Sequence, residues 1–258
     1  MNFKLVLTAL AGAVIAIVAT AAYHRLAPPP HLAATASLDT AIHDYLVGHP
    51  EVLQEAMAEL DRRQTAAEAE KASAAVKQNE KTLFDSPHQV TVGNRQGDVT
   101  LVEFFDYNCP YCKQAAKDLE TLMQSDGKLR VVLKEFPVLG PDSVEAAQVA
   151  VALHMQDPAG EKYLAFHHKL LAERGRSGKA QALAVAGEVG ADMDRLQKDL
   201  DSDEIKTALS ESFKLAERLG INGTPSYVIG TELVPGAVGL DALKDKVKTA
   251  RCNGAAAC

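Results

Sequence analysis

The feature that most restricts this chain is a short run, Cys109-Pro110-Tyr111-Cys112, set between an apolar segment and a helical one. Thr100 to Phe105 (Thr-Leu-Val-Glu-Phe-Phe) reads as a buried strand, and the pattern from the run to about Gln124 reads as a helix. A cysteine at a helix start meets orphan N–H groups and the positive end of the dipole, both of which stabilise a thiolate. A stabilised thiolate attacks disulfides and also leaves readily. Pro110 suits the first helical position because no hydrogen bond is lost there. Cys112 lies one turn inward and can close on Cys109. Cys109 is therefore expected to attack and Cys112 to resolve, with Tyr111 in the variable dipeptide that tunes the thiolate. Structural zinc needs four nitrogen or sulfur ligands. Cys252 and Cys258 have the wrong spacing for such a set, and His167 and His168 are adjacent, so no metal or cofactor is expected. A purely structural disulfide between Cys109 and Cys112 would be strained and poorly placed.

Around this run the order reads β-β-α-β, a helical block, then β-β-α. Val90 to Val92 is a strand followed by a Gly93-Asn94 turn, and Arg130 to Phe136 is another strand. From Asp142 to Leu219 the patterns are helical, broken at Asp157-Pro158, Gly175 to Gly178 and Gly190 to Asp192. Gly220 is placed to end the last of these helices. A Gly223-Thr224-Pro225 turn, strands Ser226 to Ile229 and Glu232 to Pro235, and helix Leu240 to Arg251 follow. Two charged residues, Glu103 and Lys134, interrupt apolar strands. If both strands are central, they are expected to compensate each other and to shuttle protons for Cys112. The alternative is that one of them reaches solvent at a strand end. For Thr224-Pro225, a trans bond at a strand edge is the default.

The N-terminal part has a different texture. Leu5 to Tyr23 carry no charge and follow Lys4, the layout of an export signal. Ala19-Thr20-Ala21 or Thr20-Ala21-Ala22 supplies a small-x-small cleavage pattern; an uncleaved anchor is the competing reading. Both export the rest, in a bacterium to the periplasm, where disulfides persist. Pro28 to Ser37 reads as a linker. Ser37 or Asp39 caps a helix with Ile42, Tyr45 and Leu46 on one face. Gly48-His49-Pro50 breaks it, and the next helix carries Leu53, Met57 and Leu60. Beyond Arg62 the helical composition runs to Lys81, with Val76 its one sizeable apolar residue. So narrow a stripe cannot bury itself, so it either packs on the main domain or self-associates, with Gln64 to Lys81 as a helical spacer. The expected division is 1–22 signal or anchor, 23–37 linker, 38–82 helical oligomerisation segment, 83–251 main domain with a helical insertion at about 141–219, and 252–258 tail. The formal net charge of -7 gives no electrostatic case for nucleic acid.

Residues 103–113 (Glu-Phe-Phe-Asp-Tyr-Asn-Cys-Pro-Tyr-Cys-Lys) with 223–230 (Gly-Thr-Pro-Ser-Tyr-Val-Ile-Gly) resemble the DsbA branch of thioredoxin-fold oxidoreductases over roughly residues 88–251. The resemblance implies an α/β thioredoxin-like fold with an inserted helical domain, here preceded by an N-terminal helical extension. It makes Cys109 and Cys112 the redox pair and Pro225 a cis-proline that aims the Thr224 backbone at the substrate. It also assigns Glu103 and Lys134 to the family's buried charged pair. Residues Ile42 to Met57 resemble the N-terminal extension of the suppressor-of-copper-sensitivity C (ScsC) proteins, which implies oligomerisation through 38–82 and disulfide isomerase activity. The implied partners are unfolded or misdisulfided exported proteins and a membrane redox partner, either a DsbD- or ScsB-like reductant or a DsbB-like oxidant. The alternatives are a DsbA-like dithiol oxidase and, from another class, a periplasmic Cu(I)-binding protein using Cys109 and Cys112 as soft ligands. Cys252 and Cys258 flank a flexible Asn253 to Ala257 tail. A local disulfide, free thiols and an intermolecular bridge all remain open for them.

Overall fold

The computed structural model describes residues 30–252, with side chains from residue 37 onward, and before that stretch only residues 19, 20 and 22. The export segment therefore lies almost wholly outside the described residues, and Asn253 to Cys258 lie outside them too. Among the described residues no helix is long and apolar enough to cross a membrane. The chain divides into two compact units between Thr65 and Ala66.

The first unit holds helix α1 (Pro30–Gly48) and the start of α2 (Glu51–Gln78). The helix runs from Pro30, so residues 30–37 of the segment expected as a linker are helical. Proline tolerates the first turn because its missing donor costs nothing there. Gly48 and Pro50 separate the two helices as expected. Leu38, Ile42, Tyr45, Leu53, Met57 and Leu60 are all exposed.

The second unit adds α3 (Glu80–Phe84), β1 (Val90–Gly93), β2 (Val99–Phe105), α4 (Pro110–Ser125) and β3 (Leu129–Glu135). The helical block follows as α5 (Pro141–Met155), α6 (Glu161–Ala172), α7 (Lys179–Glu188), α8 (Met193–Asp199) and α9 (Asp203–Leu219). It closes with β4 (Ser226–Ile229), β5 (Glu232–Pro235) and α10 (Leu240–Arg251). The break between α8 and α9, at 200–202, carries no Gly or Pro and is not apparent in the sequence. Gly220 adopts φ +70 at the end of α9, a conformation that favours glycine.

The strands form one mixed sheet in the order β1-β3-β2-β4-β5, with β2 and β3 parallel and the other pairs antiparallel. Alternation along β2 and β3 divides their side chains between two cores. Leu101, Phe105, Val131 and Leu133 pack with α4, α5, α6, α7 and α10. Val102, Phe104, Val132 and Val228 pack on the other face with Leu215 and Leu219 of α9, and with Val76 and Leu83. Val76 is thus a core residue of this unit, and the C-terminal part of α2 packs on its sheet.

Candidate active site

Strand β2 delivers the chain to the end of the sheet, and a short loop, 106–109, turns it into α4. Asp106 is buried and fixes that loop. Its carboxylate accepts N–H bonds from Asn108 (2.7 Å), Val138 (2.8 Å) and Leu139 (2.9 Å), and its carbonyl accepts from the Cys109 N–H (3.0 Å). Asn108 grips the helical block: its side chain donates to Ser143 Oγ and the Ser177 carbonyl and accepts from the Ser177 N–H. Lys113 adds two bonds to the α6–α7 loop, donating to the carbonyls of Glu173 and Gly175.

Cys109 occupies the N-cap of α4, with Pro110 in the first turn. Its Sγ lies 3.1 Å from the carbonyl oxygen of Thr224, and the Thr224–Pro225 bond is cis. Both Cys109 and Cys112 are free thiols. The Cys112 thiol beside Cys109 holds it well below the ordinary thiol range, at about 5. Thr224 and the backbone N–H groups of Cys112 and Tyr111 add to the effect, while burial opposes it. Cys112 goes the other way. Burial pushes it far above the ordinary range, and the neighbouring Cys109 and Glu103 raise it further. Tyr111 is exposed beside the pair.

The expected pairing of Glu103 with Lys134 does not occur. Glu103 stands opposite Leu133 in the register, and Lys134 stands opposite Phe104. Paired residues of neighbouring strands share a face and adjacent ones alternate, so the two charges point to opposite sides of the sheet. Glu103 lies on the cysteine side. Its carboxyl is raised to about 8, by burial first, with Cys109 adding to the rise and Tyr227 opposing it. Its Oε2 and the Tyr227 hydroxyl make no hydrogen bond of good geometry, although the two groups lie close enough to act on each other. Lys134 lies on the far side, donating to the Thr82 carbonyl (2.8 Å) and facing Glu211 at 3.7 Å. Burial lowers its ammonium to about 8, against the pull of Glu211.

Several residues around the site were not singled out in the sequence. Asp106 and Asn108 are polar residues between the strand and Cys109. Tyr227 lies on β4, opposite Glu103. Glu135 follows Lys134 on β3, so alternation alone places it on the Glu103 side. Its Oε1 accepts bonds from the hydroxyls of Tyr107 (3.1 Å) and Tyr163 (2.5 Å). Cys252 is buried and disulfide-bonded rather than a free thiol; Cys258 lies outside the described residues.

A mixed sheet that sets two thiols of opposed acidity at a helix N-terminus, across from a cis-prolyl turn, is the arrangement of a thioredoxin-like thiol-disulfide oxidoreductase. Residues 100–248 match the DSBA-like thioredoxin domain, and the chain belongs to that family. Residues 35–67 match the Copper resistance protein ScsC N-terminal domain, a segment that contains neither cysteine of the pair. A solved thioredoxin-like oxidoreductase from Silicibacter pomeroyi DSS-3 is 42% identical, covering 67% of this chain and 98% of its own, with a TM-score of 0.64. Proteus mirabilis ScsC in a transitional conformation is 29% identical, covering 86% of this chain and 99% of its own, also with a TM-score of 0.64. Among curated relatives, Na(+)/H(+) antiporter NhaA 1 of Salinispora arenicola is 29% identical over 160 residues. The chain spans only 24% of that protein's length.

Proposed function

We propose that this oxidoreductase acts on exported proteins in the periplasm, through Cys109 and Cys112, as a disulfide isomerase. The observation that carries the reading is the split between the thiols: Cys109 is held near 5 and Cys112 far above its ordinary range. At neutral pH Cys109 is a thiolate and Cys112 keeps its proton. The Cys109 thiolate attacks a substrate disulfide, forming a Cys109–substrate bond while the other substrate sulfur leaves as a thiolate. In isomerisation a second substrate thiolate attacks the substrate sulfur of that mixed disulfide. A new substrate disulfide forms, Cys109 leaves as a thiolate, and no net oxidation occurs. In resolution Cys112 attacks the Cys109 sulfur instead, the substrate leaves reduced, and the pair becomes a disulfide.

Resolution requires Cys112 to lose its proton, and Glu103 is the base we assign to it. The charge on Cys109 helps hold Glu103 protonated. Formation of the mixed disulfide removes that charge and lowers the Glu103 pKa, so the carboxyl releases its own proton to water and, as a carboxylate, then accepts the proton of Cys112. Lys134 takes no part, because it lies across the sheet.

Isomerase rather than oxidase chemistry is supported by the match of 35–67 to the ScsC N-terminal domain and by the exposed apolar residues of α1 and α2. Self-association through them brings several active sites to one misfolded chain and raises their effective concentration. A membrane reductant then keeps Cys109 and Cys112 in the dithiol form.

The test is refolding of a scrambled disulfide substrate by the full exported protein and by a variant lacking residues 38–65, with the mass of each measured. That boundary keeps Val76 and Leu83 in their core. The expected result is loss of both oligomer and isomerisation on deletion, with dithiol oxidation retained. Absence of isomerisation by the full protein overturns the isomerase reading, and unchanged mass with unchanged isomerisation on deletion overturns the part given to the N-terminal segment.

A further inference from the structure

Glu135 is a buried carboxyl that the steps above do not use. Its surroundings at the end of β3 are unusual for an acid: the hydroxyls of Tyr163 on α6 and of Tyr107 both donate to its Oε1. Tyr107 belongs to the loop that carries Cys109, two residues upstream of it. Its ring is fully buried against Phe105, Phe166 and His167. Glu135 thus joins three parts of the site: the sheet, the helical block and the cysteine loop. Asp106 and Asn108 hold the same loop through its backbone and its amide side chain. Glu135 is the anchor that holds it through a ring inside the core.

We propose that Glu135 is a positioning residue for thiol chemistry, which keeps Cys109 at the N-cap of α4 by holding Tyr107 against Tyr163. The proposal rests on the reading of Cys109 as the attacking thiol, and it goes beyond that reading in naming what holds the thiol in place. It also predicts a particular pH response. Burial raises Glu135 to about 8 from its ordinary value of 4.5, and the two tyrosine hydroxyls oppose this only in part. Any opening that lifts Tyr107 out of the core lets water reach the carboxyl, which then ionises. Between 4.5 and about 8 the closed loop holds a proton that the open loop releases, so opening becomes easier by about tenfold per pH unit.

The other titratable groups around Glu135 are Asp106 and Tyr107 in the loop, Tyr163 and His167 on α6, His154 on α5, His88 before β1, and Glu103 on β2. Burial lowers His154 and His167, so they take up protons on opening only below the ordinary histidine value of 6.5, with the opposite sign. Glu103 is raised to about 8 as well and is the group to separate from Glu135.

The test is hydrogen exchange at the Asn108 and Cys109 amides of the full chain, expressed as protection relative to the free peptide, from pH 6.5 to about 7.5. The wild type should lose about tenfold in protection across that range. Glu135→Gln should flatten the profile, and Glu103→Gln should leave most of the slope. The milder Tyr163→Phe, which keeps the ring and removes one donor, should raise the Cys109 pKa from about 5, read by ultraviolet thiolate absorbance. A slope that persists in Glu135→Gln and vanishes in Glu103→Gln overturns the proposal. A Cys109 pKa unchanged in both Tyr163→Phe and Tyr107→Phe does so too. Neither readout needs turnover, so a failure here leaves the isomerase reading standing, and a failure of that reading leaves this one standing.

Discussion

On one face of the sheet Glu103 and Glu135 are buried among apolar and aromatic side chains; on the other, Lys134 is buried against α3 and α9. The acids have tyrosines for neighbours and, among the described residues, no facing cation, so burial holds both protonated well above the usual carboxylate range. Lys134 has a carboxylate to face, Glu211, and still drops to about 8 because burial outweighs the attraction. Burial dominates on both faces, yet the effects on stability have opposite signs. Between 4.5 and about 8 the native acids hold protons that the unfolded chain releases, so their face loses stability as pH rises. Between about 8 and 10.5 the unfolded lysine holds a proton that the native one lacks, so the other face gains stability as pH rises. Only the acidic face touches the thiols. Of the buried charged groups near this site, only those on the cysteine side of the sheet are placed to act on the thiols.

The strongest test of that division is the thiol itself. Cys109→Ser should abolish interchange, while Cys112→Ser should accumulate a mixed disulfide visible by mass under non-reducing conditions. Interchange by Cys109→Ser would place the chemistry elsewhere. Next in size, Glu103→Gln should slow Cys112-dependent resolution by about 10- to 100-fold and leave single-step attack by Cys109 nearly unchanged. Rapid-quench measurement of the two steps separates them, and an equal slowing of both would remove Glu103 from its assigned step. Lys134→Met should do the reverse, costing about 1–2 kcal/mol of stability by removing the donor to the buried Thr82 carbonyl and the cation facing Glu211, with little change in thiol kinetics. Denaturant titration at pH 7 and at pH 9.5 sharpens this, since the variant should also lose the wild type's gain of stability above pH 8. Smallest of all, Tyr227→Phe should cost about 1 kcal/mol of stability or less, the worth of one poorly aligned hydrogen bond to Glu103. The same change should move the titration of Glu103 upward, since Tyr227 lowers it.

The sheet was legible from sequence because its strands are short runs of Val, Leu, Ile and Phe bounded by Gly, Pro or Asn. Each expected strand lies within one residue of its observed limits. The cysteine loop and the Thr224-Pro225 turn were legible because Cys-Pro-Tyr-Cys and Gly-Thr-Pro are local patterns. What could not be read was register. Nothing local to Val-Glu-Phe or Leu-Lys-Glu states which residue of β2 stands opposite which of β3, and a shift of one residue exchanges the faces. That is why Glu103 and Lys134 looked like partners. Glu135 was within reach, since alternation alone sets it against Lys134, but the two tyrosines that give it meaning are 28 residues away on either side. Val76 reads as a spacer residue in the sequence because a lone valine in an Ala/Glu/Lys helix carries no stripe. The sheet face that covers it comes later in the chain.

The close approach of Cys109 to the Thr224 carbonyl spans 115 residues of sequence. A chain emerging from its N-terminus presents the thiol long before the turn that confronts it, with all five helices of the insertion still to come. During that interval the cysteines are ordinary exposed thiols on a growing polypeptide, open to unwanted pairing. The reactive geometry of the site exists only after the last strands have added to the sheet.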